Sequence, residues 1–302
     1  MKRIVVVGSS NTDLIGYCER YPEPGETILG HKFQSGFGGK GANQCIMASK
    51  FKDVSVSMVT FLGNDQFGKS TFENYQTNGI DTTHIQFCDL PTGCAMITVD
   101  KTGQNQIIVI PGANNAITPA FINQHANEIF KKDDIVVCQN EIPLETTFET
   151  LKIAKSIGCL TVWNPAPAPL EFDKEILKYI DVLIVNTHES VQIGKQTTPE
   201  LSAIHLQKEY GIVVIVTLGE DGCLIVGKEQ IKIDSVKVQA VDTTGAGDAF
   251  VGSFVRCLAM GYDHKKCGQI AVRLASDSVT RNGTQSSYPT RERIDELIKD
   301  IL

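Results

Sequence analysis

The sequence predicts an α/β fold in which three α/β/α layers surround a mainly parallel sheet, with a small β-sheet lid, all in a single domain spanning residues 1–302. Three observations predict it. Nearly continuous apolar runs at 54–61, 135–138, 160–163, 182–185 and 213–217 have the pattern of strands buried on both faces. Helical stretches at 67–78, 119–131, 144–157 and 199–210 lie between them, and such alternation implies parallel strands joined by right-handed crossovers. Two stretches, 14–35 and 93–111, depart from the alternation and read as extended segments around turns, which gives the insert.

In chain order, Met1-Lys2-Arg3 leads straight into Ile4-Val5-Val6-Val7-Gly8. This is too short for a signal peptide and has no small-residue cleavage site, so it is the first buried strand. Residues 14–35 carry Pro22-Glu23-Pro24-Gly25 between extended segments, and 93–111 hold a hairpin turning at Lys101-Thr102-Gly103-Gln104. In that hairpin Ala95, Ile97 and Val99 alternate along one arm and Ile107 and Val109 along the other, leaving an apolar face that requires cover. A glycine turn and helix follow at 245–258, then helices at 265–279 and 290–301. At 302 residues the chain could hold two domains of roughly 150 residues, but no repeat, low-complexity tract or long linker divides it, and residues 165–169 form a short rigid loop.

Composition narrows the function. With 42% hydrophobic and 21% charged residues the chain is ordinary globular protein, not disordered or collagen-like. At this size it buries about 75% of its unfolded surface, so folding needs no disulfide or structural metal. No apolar run approaches ~18 residues, and no membrane partner is expected. A net charge of −7 argues against nucleic acid, whose phosphates want clustered Lys and Arg. Nine dispersed cysteines without a C-x-x-C pair suit free thiols in a reducing cytoplasm, and nothing in the composition bars a nuclear pool. The Asn282-Gly283-Thr284 sequon has no secretory signal to accompany it.

Ligands of open α/β sheets bind beyond the carboxyl ends of the strands. That edge carries Asn11 and Asp13 after the first strand, then Glu141, Asn164, Asn186, Glu189 and Gly219 after later ones. Singly, each suits a turn or cap; together they line one edge with oxygens and amides. The 26 glycines are a small excess over the usual ~7%, and three glycine motifs compete for phosphate. Residues 63–70, GNDQFGKS, match G-x-x-x-x-G-K-S. Asp65 repels phosphate and Phe67 is bulky there, so the expectation is a capped helix start with Asp65 toward the substrate side. Residues 36–43, GFGGKGAN, let backbone approach a ligand closely, with Lys40 as a point charge and Asn43 as a two-way amide for hydroxyls. The plain alternative is a flexible loop feeding a helix from Gly41.

Residues 242–248, DTTGAGD, precede an apolar helix. Small residues at a helix N-terminus expose amides and the positive end of the dipole, an anion site suited to charge on a transferring phosphoryl group. Asp248 is there either a cap acid or a general base within hydrogen-bond reach of a substrate hydroxyl. Residues 8–13, GSSNTD, lack the G-x-G-x-x-G of dinucleotide dehydrogenases, and no zinc motif, G-x-S-x-G or Cys/His nucleophile pattern occurs.

Taken in order, these segments resemble the ribokinase-like (PfkB) carbohydrate kinase family nearly end to end. The resemblance also includes Pro24-Gly25-Glu26-Thr27, Gln44, Gly112-Ala113-Asn114, Asn164 to Ala168, Thr217-Leu218-Gly219 and Gly283 to Ser287. It implies ATP-dependent phosphorylation of D-ribose at the 5-hydroxyl, with Asp248 as base and Gly245, Ala246 and Gly247 as the anion hole. It implies sugar contacts from Asn11, Asp13, Gly39, Lys40, Asn43 and Glu141, and ATP contacts from Asn186, Thr217, Leu218, Gly219, Glu220, Asp221, Gly222 and Gly247. Magnesium is implied with ATP, associated with the N-x-x-E spacing of Asn186 and Glu189, where His188 at an inner position is unusual. Potassium is implied as an activating monovalent cation at Asp242, Thr244, Ser278, Arg281, Gly283 and Ser287, mostly through backbone oxygens. A homodimer through the lid is implied too, and residues 63–68 match a segment that is not the nucleotide loop.

Two positions depart from the family pattern. Ser253 stands where Ala or Gly is usual, and Val272 where a polar residue near the adenine is common, which leaves nucleobase contact there in doubt. Relatives in the family act on deoxyribose, fructose or adenosine. A nucleoside would want aromatic stacking surface, and the hairpin's Ala95, Ile97 and Val109 favour a bare sugar. A sugar-binding regulator without catalysis would have lost the Asp248 motif, which is intact.

Overall fold

The computed structural model describes residues 2–51 and 54–301. Its strands are β1 (Ile4–Val7), β2 (Asn11–Tyr17), β3 (Lys32–Gly38), β4 (Val56–Gly63), β5 (Ile85–Cys88), β6 (Gly93–Val99) and β7 (Asn105–Ile110). They continue with β8 (Ile135–Cys138), β9 (Leu160–Trp163), β10 (Val182–Asn186), β11 (Val213–Thr217), β12 (Cys223–Val226) and β13 (Gln230–Ile233). The helices are α1 (Lys40–Ser49), α2 (Gln66–Thr77), α3 (Pro119–Ile129), α4 (Leu144–Ile157), α5 (Thr187–Gly194), α6 (Pro199–Tyr210), α7 (Ala246–Ala259), α8 (His264–Ser278) and α9 (Arg291–Ile298).

Nine strands form the main sheet in the order β13-β12-β11-β10-β9-β8-β1-β4-β5. Every pairing from β11 to β5 is parallel; β12 and β13 add antiparallel pairings at one edge. Because successive side chains of a strand point to opposite faces, the continuous apolar runs supply two cores. Ile4, Val6, Ile135, Val137, Val182 and Ile184 pack with α1, α7 and α8. Val5, Val7, Val136, Cys138, Leu183 and Val185 pack with α3, α4 and α6. The three layers follow from this division.

Four strands form a second, small sheet in the order β3-β2-β6-β7, with β2 and β6 parallel and the outer pairs antiparallel. The β6–β7 turn is held by Asp100, which accepts from the N–H groups of Thr102 at 2.8 Å and Gln104 at 3.1 Å. This sheet reaches further toward β1 than the 14–35 segment suggests. Asn11 and Asp13 are strand residues of β2 rather than turn residues after β1, and residues 36–38 are strand rather than loop. The physical reason is the ladder, since Asn11 to Tyr17 pair residue by residue with Gly93 to Val99 on one side and with Gly38 to Lys32 on the other.

Register assigns the faces of the small sheet. Asp13, Ala95 and Val109 lie abreast on one face. Leu14, Met96 and Ile108 lie abreast on the opposite face, so both faces of the hairpin are apolar, not one. On the second face Phe33 is 68% exposed, Ile108 64% and Met96 50%, a larger uncovered apolar patch than scattered single residues would make. Among the described residues no helix is long and apolar enough to cross a membrane, and all nine cysteines are free thiols.

Candidate active site

The site is built where α7 begins. Gly245 caps the helix at φ 77°, a left-handed conformation that glycine adopts freely. The Ala246 N–H turns back to Thr243 O at 3.2 Å, so it is partly spent inside the turn. Gly247 faces open space, because a Cβ built there would meet nothing within 4 Å. Of the two residues, Ala246 has its N–H engaged in the turn, and Gly247 is exposed.

Asp248, in the same first turn, is 7% exposed. Its carboxylate is not used as a cap for its own helix. Oδ2 accepts from Asn43 Nδ2 at 3.0 Å and Oδ1 from Gln44 Nε2 at 2.9 Å, both on α1. Asn43, expected to present its amide to the sugar, gives one Nδ2 hydrogen to Asp248 and has a second, while its Oδ1 accepts from Gln285 Nε2 at 3.0 Å. Gln44 takes no part in the expected site, yet its amide bonds Asp248, Asn164 and Gln139.

The remaining charged groups converge on the same edge. Glu141, two residues past Gln139 at the end of β8, accepts from Ser9 Oγ at 2.6 Å and from Lys40 N at 2.8 Å through Oε2. Lys40 opens α1, and its ammonium is held above its usual pKa by Asp248 first and by Glu141 and Glu189, against the opposing effect of burial. Asp13 is pushed up to about 7, chiefly by burial, then by the neighbouring charges of Glu141 and Asp248. Burial also raises the Glu189 carboxyl. Three carboxylates thus act on one ammonium and a fourth, Asp13, lies beside two of them, a surplus of acceptors for hydroxyl donors. The Asn11 Oδ1 accepts from Asn114 Nδ2 at 2.7 Å.

Three of the glycines in residues 36–41 are required by protein packing, whereas Gly36 faces open space. A Cβ at Gly38 would overlap the Asp13 carboxylate, one at Gly39 would lie 2.8 Å from Asn11 N, and one at Gly41 would lie 2.6 Å from Ser9 N. They let the start of α1 close on β1 and β2, which brings Lys40 and Asn43 to the edge.

On the neighbouring strands, Asn186 and Thr217 are register partners at the ends of β10 and β11. Asn186 and Glu189 form a reciprocal capping box at the start of α5, with Glu189 N donating to Asn186 Oδ1 at 2.8 Å and Asn186 N to Glu189 Oε2 at 2.9 Å. After Thr217 the chain makes one tight turn, Gly219–Asp221, closed by Leu218 N to Gly222 O at 2.8 Å. Glu220 and Asp221 are exposed. Gly222 is needed for packing, since its Cβ would overlap Ile233 O, whereas Gly219 faces open space. Val272 is buried in the core with Ile270 and Leu274, which removes it from any surface a base could touch. Ser253 fits without strain, its hydroxyl donating to Ala249 O at 2.7 Å.

The implied cation ligands also gather. Asp242 accepts from Thr244 N at 2.9 Å and Gly283 N at 2.8 Å. Ser287 O accepts from the Arg281 guanidinium at 2.7 Å. Ser278 is turned into its own helix end, with Oγ donating to Ala275 O and its carbonyl accepting from Arg281 N. Carbonyls with a single carboxylate suit a weakly charged hard ion, although Ser278 and the Ser287 carbonyl are already engaged. For magnesium the pair with the N-x-x-E spacing offers the Glu189 carboxylate, a hard oxygen donor of the right chemistry, with Oε2 also accepting from Asn186 N.

The G-x-x-x-x-G-K-S match is a capped helix. Asp65 accepts from Gly68 N at 2.8 Å, and also from Thr92 N at 2.8 Å and Thr92 Oγ1 at 2.7 Å. Those bonds fill its oxygens and fix the connection into β6, so Asp65 does not face the substrate side. A Cβ at Gly68 would overlap Gly63 O, leaving no cradle for phosphate.

With this geometry in hand, the kinship of the chain is direct. Residues 1–291 match the model of the pfkB family of carbohydrate kinases, and the chain belongs to that family. It is 37% identical over 301 residues to ribokinase of Mus musculus, covering 96% of this chain and 92% of that protein. It is 35% identical over 302 residues to deoxyribokinase of Salmonella typhi, covering 98% of both. Among solved structures, ribokinase from Thermotoga maritima superposes with a TM-score of 0.91 at 38% identity, over 99% of this chain and 100% of that one. Arabidopsis thaliana ribokinase complexed with ribose and ATP gives 0.88 at 30% identity, over 99% of each chain.

The raised Asp13 carboxyl makes a stability prediction. Its folded pKa of about 7 lies above its ordinary 3.8, so the folded state holds the proton more tightly. The resulting stability is fully present below the ordinary value and is lost as pH rises through about 7. Asp13→Asn in the ligand-free protein should therefore raise the melting temperature by a few degrees at pH 8 and by nothing near pH 4. Calorimetry across that range checks it; an unchanged or lower melting temperature at pH 8 contradicts it.

Proposed function

We propose that the chain transfers the γ-phosphoryl group of ATP to the 5-hydroxyl of D-ribose, giving ribose 5-phosphate and ADP. The observation that carries the reading is the Asp248 carboxylate, buried, held on both oxygens, and placed in the first turn of α7 beside the open amide edge of Gly247. Asp248 takes the hydroxyl proton as the new O–P bond forms and the bond from γ-phosphorus to the bridging oxygen breaks. The α7 start meets the charge on the moving group. Asn11, Asp13, Gly39, Lys40, Asn43 and Glu141 hold the other sugar hydroxyls, while Asn186 and the Thr217 to Gly222 turn hold ATP by backbone and amide groups. Mg²⁺ carried by ATP would neutralise phosphate charge near Asn186 and Glu189.

The small sheet acts as the lid of a single-domain enzyme. Its site-facing side presents Asp13 beside Ala95 and Val109, small groups that favour a bare sugar over a nucleoside. Its far side, with Phe33, Met96 and Ile108 exposed, supports a homodimer closed by two such sheets about a two-fold axis. Asp242, Thr244, Ser278, Arg281, Gly283 and Ser287 would hold an activating potassium ion, mostly through backbone oxygens. The free thiols suit the cytoplasm. A second reading, 2-deoxyribose as substrate, is favoured by the similarity to a deoxyribokinase.

Three outcomes are expected. Asp248→Asn folds and binds ribose but loses roughly 10²–10⁴ in kcat, the usual worth of a general base; an ATPase-coupled assay over ribose, deoxyribose, fructose and adenosine measures this, and near-normal turnover or a preference for another substrate contradicts the reading. Rates in potassium exceed those in tetramethylammonium, and equal rates remove the cation site. Ile108→Asp shifts sedimentation from dimer to monomer, and an unshifted wild-type monomer would show that the far side closes no dimer.

A further inference from the structure

The two amides on Asp248 end two chains of side-chain amides whose direction is fixed by groups that cannot turn round. The first begins at Ile184 O in β10. β9 ends at Trp163, so the next residue, Asn164, leaves the ladder, and its side chain takes up that carbonyl at 2.8 Å. A carbonyl only accepts, so Asn164 Nδ2 must face it and Asn164 Oδ1 must face Gln44. Gln44 Nε2 then donates to Asn164 Oδ1 at 2.9 Å and to Asp248 Oδ1 at 2.9 Å, while Gln44 Oε1 accepts from Gln139 Nε2 at 2.6 Å.

The second chain begins at Lys50, whose ammonium only donates. It bonds Asn78 Oδ1 at 2.9 Å, so Asn78 Nδ2 donates to Asn74 O at 2.8 Å and to Asn74 Oδ1 at 3.2 Å. Asn74 Nδ2 donates to Gln285 Oε1 at 3.0 Å, Gln285 Nε2 to Asn43 Oδ1 at 3.0 Å, and Asn43 Nδ2 to Asp248 Oδ2 at 3.0 Å. Both chains arrive at the carboxylate as N–H donors.

We propose that Gln44 and Gln285 are positioning residues which, at the ends of these two directed amide chains, hold the Asp248 carboxylate in one orientation and so aim its remaining lone pairs at the substrate hydroxyl. Each carboxylate oxygen has two acceptor sites, and a donor that fills one fixes the direction of the other. Gln44 acts on the carboxylate from the protein side, and Gln285 acts through Asn43. The inference rests on Asp248 acting as the base.

The test compares Gln44→Leu, Gln285→Leu and Asp248→Asn in the full chain, each checked for folding by its melting temperature. Loss of one donor to the carboxylate should lower kcat roughly tenfold or more, with KM for sugar and ATP within a few fold. Gln285→Leu, at a half-buried position, should act in the same direction and carries the test if Gln44→Leu does not fold. If the folded glutamine variants keep the wild-type kcat, or change KM alone, while Asp248→Asn is inactive, the positioning role is overturned and the base stands. If Asp248→Asn turns over normally, the base reading itself fails.

Discussion

The close crossing of α1 and α7 is the constraint on which the site depends. A Cβ at Gly252 would lie 2.6 Å from Gln44 O and 2.7 Å from Met47 Cβ, so glycine is what lets the two helix backbones come this near. At that separation two consecutive side chains of α1, Asn43 and Gln44, reach one carboxylate at the start of α7. A buried carboxylate without such donors would pay a large desolvation cost or take up a proton. With a larger side chain at 252, α7 would have to move outward and Asp248 would lose its partners before any contact with substrate changed.

Around that joint the work is divided between two sheets. The parallel sheet is buried on both faces and fixes Glu141, Asn164, Asn186 and Thr217 at its carboxyl edge. The small sheet brings Asp13 on β2, and the loop from Arg281 to Tyr288 ties the pieces together. Thr284 Oγ1 donates to Phe37 O in β3 at 3.0 Å, Gln285 reaches Asn43, and Gly283 N reaches Asp242. Lys40 is the ammonium that answers Asp248, Glu141 and Glu189, and Asp13 lies beside Glu141 and Asp248.

Much of the body was legible because its signals are local. Residues 135–138, 144–157, 160–163, 199–210 and 213–217 form elements with the same bounds that pattern alone suggests. Short or amphipathic pieces were not. β12 and β13 are four residues each, with Gln230 and Lys232 facing outward; α5 hid behind the Asn186 and Glu189 spacing, which reads as a ligand motif and is also a capping box. Asn11 and Asp13 look like turn residues until the ladder to β6 exists. The motifs do put Asp13, Lys40, Glu141 and Asp248 on one edge, and the fold brings their charges together. Gln44 escaped because an amide on a helix gives no sign of its use, and its partners Asn164 and Asp248 are 120 and 204 residues away in sequence. The packing role of Gly38, Gly39 and Gly41 was not legible, since close packing of backbone on backbone leaves the same trace in a sequence as a ligand cradle.

Neutron diffraction from deuterium-exchanged crystals grown with bound sugar tests the central claim most directly, because it locates the protons. The account predicts deuterons on Gln44 Nε2 and Asn43 Nδ2 directed at Asp248, none on the carboxylate, and the sugar's 5-hydroxyl deuteron donated to it. A deuteron residing on Asp248, or a 5-hydroxyl bonded to a different group, would contradict it.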